Sequence, residues 1–162
     1  MTSAASDQAV CSSSPPRVRL VTVEQLQQPA EGPTLRLPTA AARCAWSLLL
    51  GKDREHFVAM HLDTRHRVVS VEIVSMGTLS SSLVHPREVF KGAILANAAA
   101  IICAHNHPSG DVSPSQEDRA LLKRVLEAGQ LLGIPLLDFL IVSETEHWSA
   151  SEHGLMRGGA SA

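Results

Sequence analysis

The sequence predicts a mixed α/β fold, a sheet flanked by helices, and three observations point to it. Short β-rich runs alternate with amphipathic segments along the chain. The helical segments open near proline, and the first and last of them close at glycine, as helix boundaries do. With 162 residues, 44% hydrophobic and 19% charged, the chain is long enough for one sizeable core.

Taken in order, residues 1–37 read as a disordered tail and linker. Residues 1–16 are rich in Ser and Ala and end in Pro-Pro, and "QQPAEGPTLRLP" carries three prolines and a glycine. Between them "RVRLVTVEQL" fits a short strand or a short helix equally. The compact domain is expected over 38–156. "PTAAARCAWSLLLG" opens it as a helix, with Thr39 as N-cap and Gly51 as stop. "EHFVAMHLD" and "RVVSVEIVS" are β-rich runs joined by "TRH", which predicts a hairpin.

"HPREVFKGAILANAAA" reads as a helix with Pro86 early and Val89, Phe90, Ala93 and Ile94 on one stripe. Asn97 interrupts that stripe and marks its end. "AAIICAH" is a short buried strand. "SPSQEDRALLKRVLEAGQLLG" is the strongest helix, with Ser113 as N-cap, Pro114 at the first position, Gln116 completing a capping box and Gly133 at the end. Its inward stripe is Leu121, Leu122, Val125, Leu126 and Leu132. "PLLDFLIVS" supplies a further strand, and residues 157–162 form a frayed, disordered end.

Charge and cysteine usage exclude several classes. The formal net charge is −2 and no block of Lys or Arg appears, so autonomous nucleic-acid binding is not expected. Cys11, Cys44 and Cys103 are odd in number and contain no C-x-x-C pair, which argues against a disulfide framework and for a reducing compartment. The N-terminus lacks a basic segment followed by an apolar one, and no apolar run approaches the roughly 18 residues of a membrane span. A cytoplasmic protein with no membrane association is the expectation.

Chemistry concentrates in "HNHPSGDVSPSQED", from His105 to Asp118. Alternate strand residues share a face, so Ile101, Cys103, His105 and His107 point the same way. Two imidazoles at a rigid strand end can then converge on one ion. Stepping back along the next helix from Leu121 and Leu122 lands on Asp118, and three more on Ser115. An unpaired carboxylate at the start of an inward face is costly, and a bound metal removes that cost. Two His and one Asp leave a fourth tetrahedral position for water, the pattern of catalytic zinc. "PSGD" supplies the turn that returns the helix start to the strand end.

Each part also has a plainer explanation. A His-x-His pair is often only a surface pair, and Asp near a helix start commonly serves the helix dipole. Their conjunction is what favours a metal site. Cys103 is expected as a core thiol, and His56, His61, His66, His147 and His153 as surface or core residues. His85 before Pro86 suits a cap, while Trp46 and Trp148 suit packing.

The string H-x-H-x7-S-x2-D, filled by His105, His107, Ser115 and Asp118, resembles the JAMM motif of the JAB/MPN metalloprotease superfamily. "HNHPSGDVSPSQED" is most similar to the RadC branch, and "GTL" at 77–79 and "HPREVFKGAI" at 85–94 resemble it too. The likeness covers roughly Leu50 to Gly154. Val112 stands where that branch often has Pro, a departure that affects loop stiffness more than ligation. The helix-hairpin-helix domain of longer RadC proteins is not expected within these 162 residues.

The resemblance implies a cytidine-deaminase-like mixed sheet and one zinc ion per chain held by His105, His107 and Asp118. It also implies an upstream glutamate as general base for the zinc water and proton donor to the leaving amine. Glu55, at the start of the first strand, is the first choice; Glu72 is the runner-up and Glu88 the weaker third. Ser115 would hydrogen-bond the developing oxyanion or orient the water. The activity implied is hydrolysis of a peptide or isopeptide bond in a peptide or protein substrate. Two alternatives stay open: a DNA-repair-associated RadC-like protein and a non-catalytic MPN interaction scaffold. The absence of C-x-x-C and of H-E-x-x-H sets aside the zinc deaminases and the helical zincins.

Overall fold

A computed structural model of the chain describes residues 32–77 and 84–156. The "RVRLVTVEQL" segment, most of the tail and linker, most of "GTL" and the end at 157–162 lie outside the described residues. The architecture is mixed α/β, a five-stranded sheet between helices, as the alternation of runs predicts.

The chain forms α1 (Pro38–Leu49), a hairpin of β1 (His56–Leu62) and β2 (Val68–Met76), then α2 (Pro86–Leu95) and β3 (Ala100–Asn106). These are followed by α3 (Gln116–Leu132), β4 (Leu136–Val142) and β5 (His147–Ser149). The strand order is β2-β1-β3-β4-β5. Only β3 and β4 pair in parallel, because α3 carries the chain back across the sheet between them. β1 and β3 are buried along their whole lengths, since helices cover both sheet faces there.

Packing divides the core in two. On one face Phe57, Ile101, Cys103 and Phe139 meet Val89 and Phe90 of α2 and Leu121 and Val125 of α3. On the other, Val58, Met60, Ile102 and Leu140 meet Ala41, Ala45 and Leu49 of α1. The second cluster includes Leu35, and Thr34 bridges to Arg67, so the packed chain extends upstream of α1.

Several local expectations shift. α1 begins one turn position early: Leu37 is its N-cap with no side-chain bond and Pro38 follows at the first turn, so Thr39 is already helical. The cap of α3 is Ser115, not Ser113, and its capping box closes on Asp118 rather than Gln116. Ser113 N is instead taken by Asp111 Oδ1 (2.8 Å), which keeps the preceding segment a loop. Ser115 therefore precedes the helix and is exposed, not on its inward face. Ile94 and Leu132 are also exposed, because each sits in the last turn of its helix where the chain swings off the sheet. Gly133 ends α3 at φ 69°, the left-handed conformation that a C-cap glycine permits. His85 caps α2, accepting from Arg87 N. β5 has no forerunner in the sequence reading; three residues are too few for a periodicity. Among the described residues no helix is long and apolar enough to cross a membrane.

Candidate metal centre

β3 delivers His105 and His107 to the end of the sheet, and the first turn of α3 brings Asp118 to meet them. His105 Nε2 lies 3.0 Å from His107 Nε2 and 3.1 Å from Asp118 Oδ1. His107 Nε2 lies 3.5 Å from Asp118 Oδ2. Ligand atoms on a tetrahedral zinc sit roughly 3.3 Å apart, given bonds of about 2.0–2.1 Å. The three side chains have that spacing, and among the described residues they are the one group of His, Cys, Asp and Glu that could hold a metal ion.

Each of the three side chains is oriented by something different. His105 is fully buried, stacked on Phe57 at 6.0 Å and met edge-on by Phe139 at 5.4 Å. Its Nδ1 has no hydrogen-bond partner among the described residues, so on that side the ring is fixed by packing. His107 is set by its Nδ1, 2.6 Å from the carbonyl of Asp111. A carbonyl only accepts, so Nδ1 carries the proton and Nε2 turns a lone pair to the site, the tautomer a metal requires. This contact is the purpose of the "PSGD" turn that the sequence shows.

Asp118 is set by the capping box. Its Oδ2 accepts from Ser115 N (2.8 Å) and Ser115 Oγ (2.7 Å), while Ser115 Oγ accepts from Asp118 N (3.1 Å). With Oδ2 engaged by two donors, Oδ1 is aimed at His105. The Ser115 hydroxyl can turn away without stranding Oδ2, because the Ser115 amide stays on it.

Electrostatics follow from this arrangement. Burial by itself would raise the Asp118 pKa, but hydrogen bonds from the rings of His105 and, when it is protonated at Nε2 as well, His107 hold it well below the ordinary carboxylate range. The hydrogen bond that Asp118 accepts raises the pKa of His107 against its own partial burial, and the charge of Glu55 adds to the rise.

Glu55 is half-buried, immediately before β1, and its charge acts on His107. Glu72 lies elsewhere. It stands opposite Ala59 on β2, packed against His61 and Gly92 and 3.6 Å from Lys91. Glu88 is on the solvent side of α2, paired with Arg87 and Lys91. The structure thus gathers His105, His107, Asp118 and Ser115, with Glu55 at their margin, and leaves Glu72 and Glu88 outside. Cys103 is buried in the core behind His105, where desolvation raises its pKa far above the ordinary thiol value. Phe57 and Phe139, which hold His105, were read only as strand residues; nothing in a β-run says which aromatic meets which imidazole.

Beside His107 runs an open groove of about 410 Å³. Trp46 and Leu49 of α1, Ser109 of the turn, and Val142 and Glu144 line it. Trp46 Nε1 donates to Ser143 O, which ties α1 to the turn after β4 and fixes the groove's walls.

A family model described as the RadC-like JAB domain matches residues 35–155. A UPF0758 protein of Rubrobacter xylanophilus is 57% identical over 104 residues, which is 64% of this chain and 45% of that protein. UPF0758 proteins of Desulforudis audaxviator and Desulforamulus reducens are 50% and 46% identical over 123 and 122 residues, 76% and 75% of this chain and 54% of each. The chain spans about half the length of the curated relatives it matches, and their names state no activity.

Proposed function

The chain belongs to the RadC-like JAB domain family, and from that premise we propose that it is a zinc-dependent hydrolase of a peptide or isopeptide bond. The observation that carries the proposal is the convergence of His105, His107 and Asp118 at the end of β3. Two imidazoles and one carboxylate suit zinc and leave a position for water. When bound, zinc supplies Lewis acidity and brings the pKa of a ligated water to about 7.

The protein's own groups supply the rest. Glu55 takes the proton of the attacking water and returns it to the leaving amine, a task suited to a half-buried carboxylate at the site's margin. Ser115 turns its hydroxyl from Asp118 to the substrate oxygen as negative charge develops there. The groove beside His107 receives an extended stretch of polypeptide, and the net charge of −2 favours such a partner over nucleic acid.

The test is the zinc content of untagged protein, followed by turnover of a panel of peptide and isopeptide substrates. About one zinc per chain, lost in Asp118→Asn and His107→Ala together with all turnover, is the expected result. Turnover that survives both substitutions would refute the mechanism. A folded chain that stays empty after incubation with zinc would favour the scaffold alternative instead.

A further inference from the structure

We propose that Asn106, between the two histidines, is a positioning residue whose side-chain amide clamps the backbone on both sides of Glu55 and so holds that glutamate opposite His107. The inference rests on the hydrolase reading above.

The β1–β3 ladder ends at the pair Phe57 and His105. Beyond it the strands part, because β3 runs into the His107–Gly110 turn. There the Asn106 side chain replaces the missing peptide bonds: His56 N donates to Asn106 Oδ1 (2.8 Å), and Asn106 Nδ2 donates to Arg54 O (3.0 Å). A primary amide carries the same donor and acceptor as a peptide, so it continues the ladder across a gap that the backbones no longer span. Asn106 is 6% exposed, so a lost bond here is not replaced cheaply by water.

The two bonds fall on the residues flanking Glu55. A third, from Gly77 N to Glu55 O (2.8 Å), fixes Glu55 itself from the end of β2. None of the three uses the Glu55 carboxylate. Both polar atoms of the Asn106 side chain are engaged by backbone at residues 54 and 56, and Asn106 is joined by one peptide bond to His107. A single side chain therefore sets the separation between the strand that carries the second histidine and the strand that carries the glutamate.

The experiment uses the full chain loaded with cobalt in place of zinc, so that it needs no substrate. The readouts are metal content and the pH midpoint of the visible absorption, for wild type, Glu55→Gln, Asn106→Leu, Asn106→Ala and the double variant Glu55→Gln/Asn106→Leu. Removing a nearby negative charge lowers such a midpoint, here by about one pH unit in Glu55→Gln. Asn106→Leu, close in size but without donor or acceptor, should show a similar fall at unchanged metal content. The double variant should fall no further. Asn106→Ala, smaller and equally uncharged, also removes both bonds and should show the same fall. It also serves if the leucine variant does not fold.

Asn106 variants at the wild-type midpoint, with Glu55→Gln displaced, would overturn the clamp and leave the hydrolase reading intact. Loss of metal from the Asn106 variants would also overturn it, by assigning Asn106 to the ligands instead. A wild-type chain that takes up no cobalt, or a Glu55→Gln variant with an unmoved midpoint, would overturn the hydrolase reading and the clamp's role with it.

Discussion

Asp118 and Asp138 are both buried carboxylates, and burial alone pushes both pKa values upward, yet they end on opposite sides of the ordinary value. Asp138 meets neutral donors. Its Oδ1 accepts from Phe139 N (2.8 Å) and Ser151 N (3.0 Å), and its Oδ2 from Ser149 Oγ (2.7 Å). These bonds lower its pKa, but less than desolvation raises it. Asp118 has one oxygen engaged by Ser115 and the other facing the imidazole of His105, and together with His105 and His107 it could hold a metal. Burial therefore does not distinguish a functional carboxylate. A carboxylate satisfied wholly by fixed neutral donors is structural, and one that faces ionisable ligand atoms is available for chemistry.

The sharpest way to break this comparison is to truncate both. Asp138→Ala strands two buried donors, Phe139 N and Ser149 Oγ, and frees the amide of exposed Ser151. At about 1–3 kcal/mol for each unsatisfied buried group the chain should lose at least about 2 kcal/mol of stability. Its zinc stoichiometry, in whatever fraction stays folded, should not change. Asp118→Ala should lose the metal while costing the metal-free chain much less. Urea unfolding of the metal-free proteins, with zinc analysis in parallel, separates the two effects. Equal losses of stability with metal retained in both would erase the distinction.

A smaller effect, with opposite signs at the two sites, is expected from pH in the metal-free chain. The Asp118 pKa is depressed, so its stabilisation is present above the unfolded value near 3.9 and is lost as pH falls through the acid range below it. The Asp138 pKa is raised, so stability from that group is full below about 3.9 and declines as pH rises through its folded value. His107, also raised, adds stability below about 6.5 that is lost as pH rises through its own folded value. Asp118→Asn should flatten the acid loss and remove much of the His107 contribution. Asp138→Asn should flatten the decline just above pH 4 instead, because Asn keeps Oδ1 for both amides and the Ser149 hydroxyl can turn to accept. Urea midpoints from about pH 2 to 8 distinguish the variants, and parallel curves would contradict the assignment.

Much of this was legible in the sequence, and the failures have physical reasons. Strand alternation placed His105 and His107 on one face with Ile101 and Cys103, and the Leu121–Leu122 stripe placed Asp118 at the buried start of α3. Both rest on periodicity, which burial enforces residue by residue. The helix cap was misread by two positions because Ser113 with Gln116 and Ser115 with Asp118 are equally good capping spacings. The choice is made by a tertiary demand, that the box aim Asp118 Oδ1 at His105, and no local pattern encodes that. Asn106 and Asp138 gave no signal for a related reason: a polar residue inside an apolar run shows only that a partner is needed. Its partners here, at residues 54, 56, 149 and 151, become visible only when strands are paired.

The finest version of the comparison uses the serine on each carboxylate. Ser149 is fully buried; its hydroxyl donates to Asp138 Oδ2 and accepts from Glu152 N (3.1 Å). Ser149→Ala leaves Oδ2 without that donor in a place water reaches poorly, and should cost about 2 kcal/mol with zinc affinity unchanged. Ser115 is exposed, and after Ser115→Ala the Ser115 amide still holds Asp118 Oδ2. What is lost is the N-cap, worth about 1 kcal/mol, together with one of two restraints on the ligand's orientation. Loss of such an outer-shell restraint typically weakens metal binding by about 10-fold or more. The two variants should therefore rank one way in unfolding of the metal-free chain and the other way in zinc competition titration. If Ser115→Ala leaves zinc affinity unmoved, the Ser115 hydroxyl serves only the helix, and Asp118 is oriented for the metal by the Ser115 amide and the two histidines.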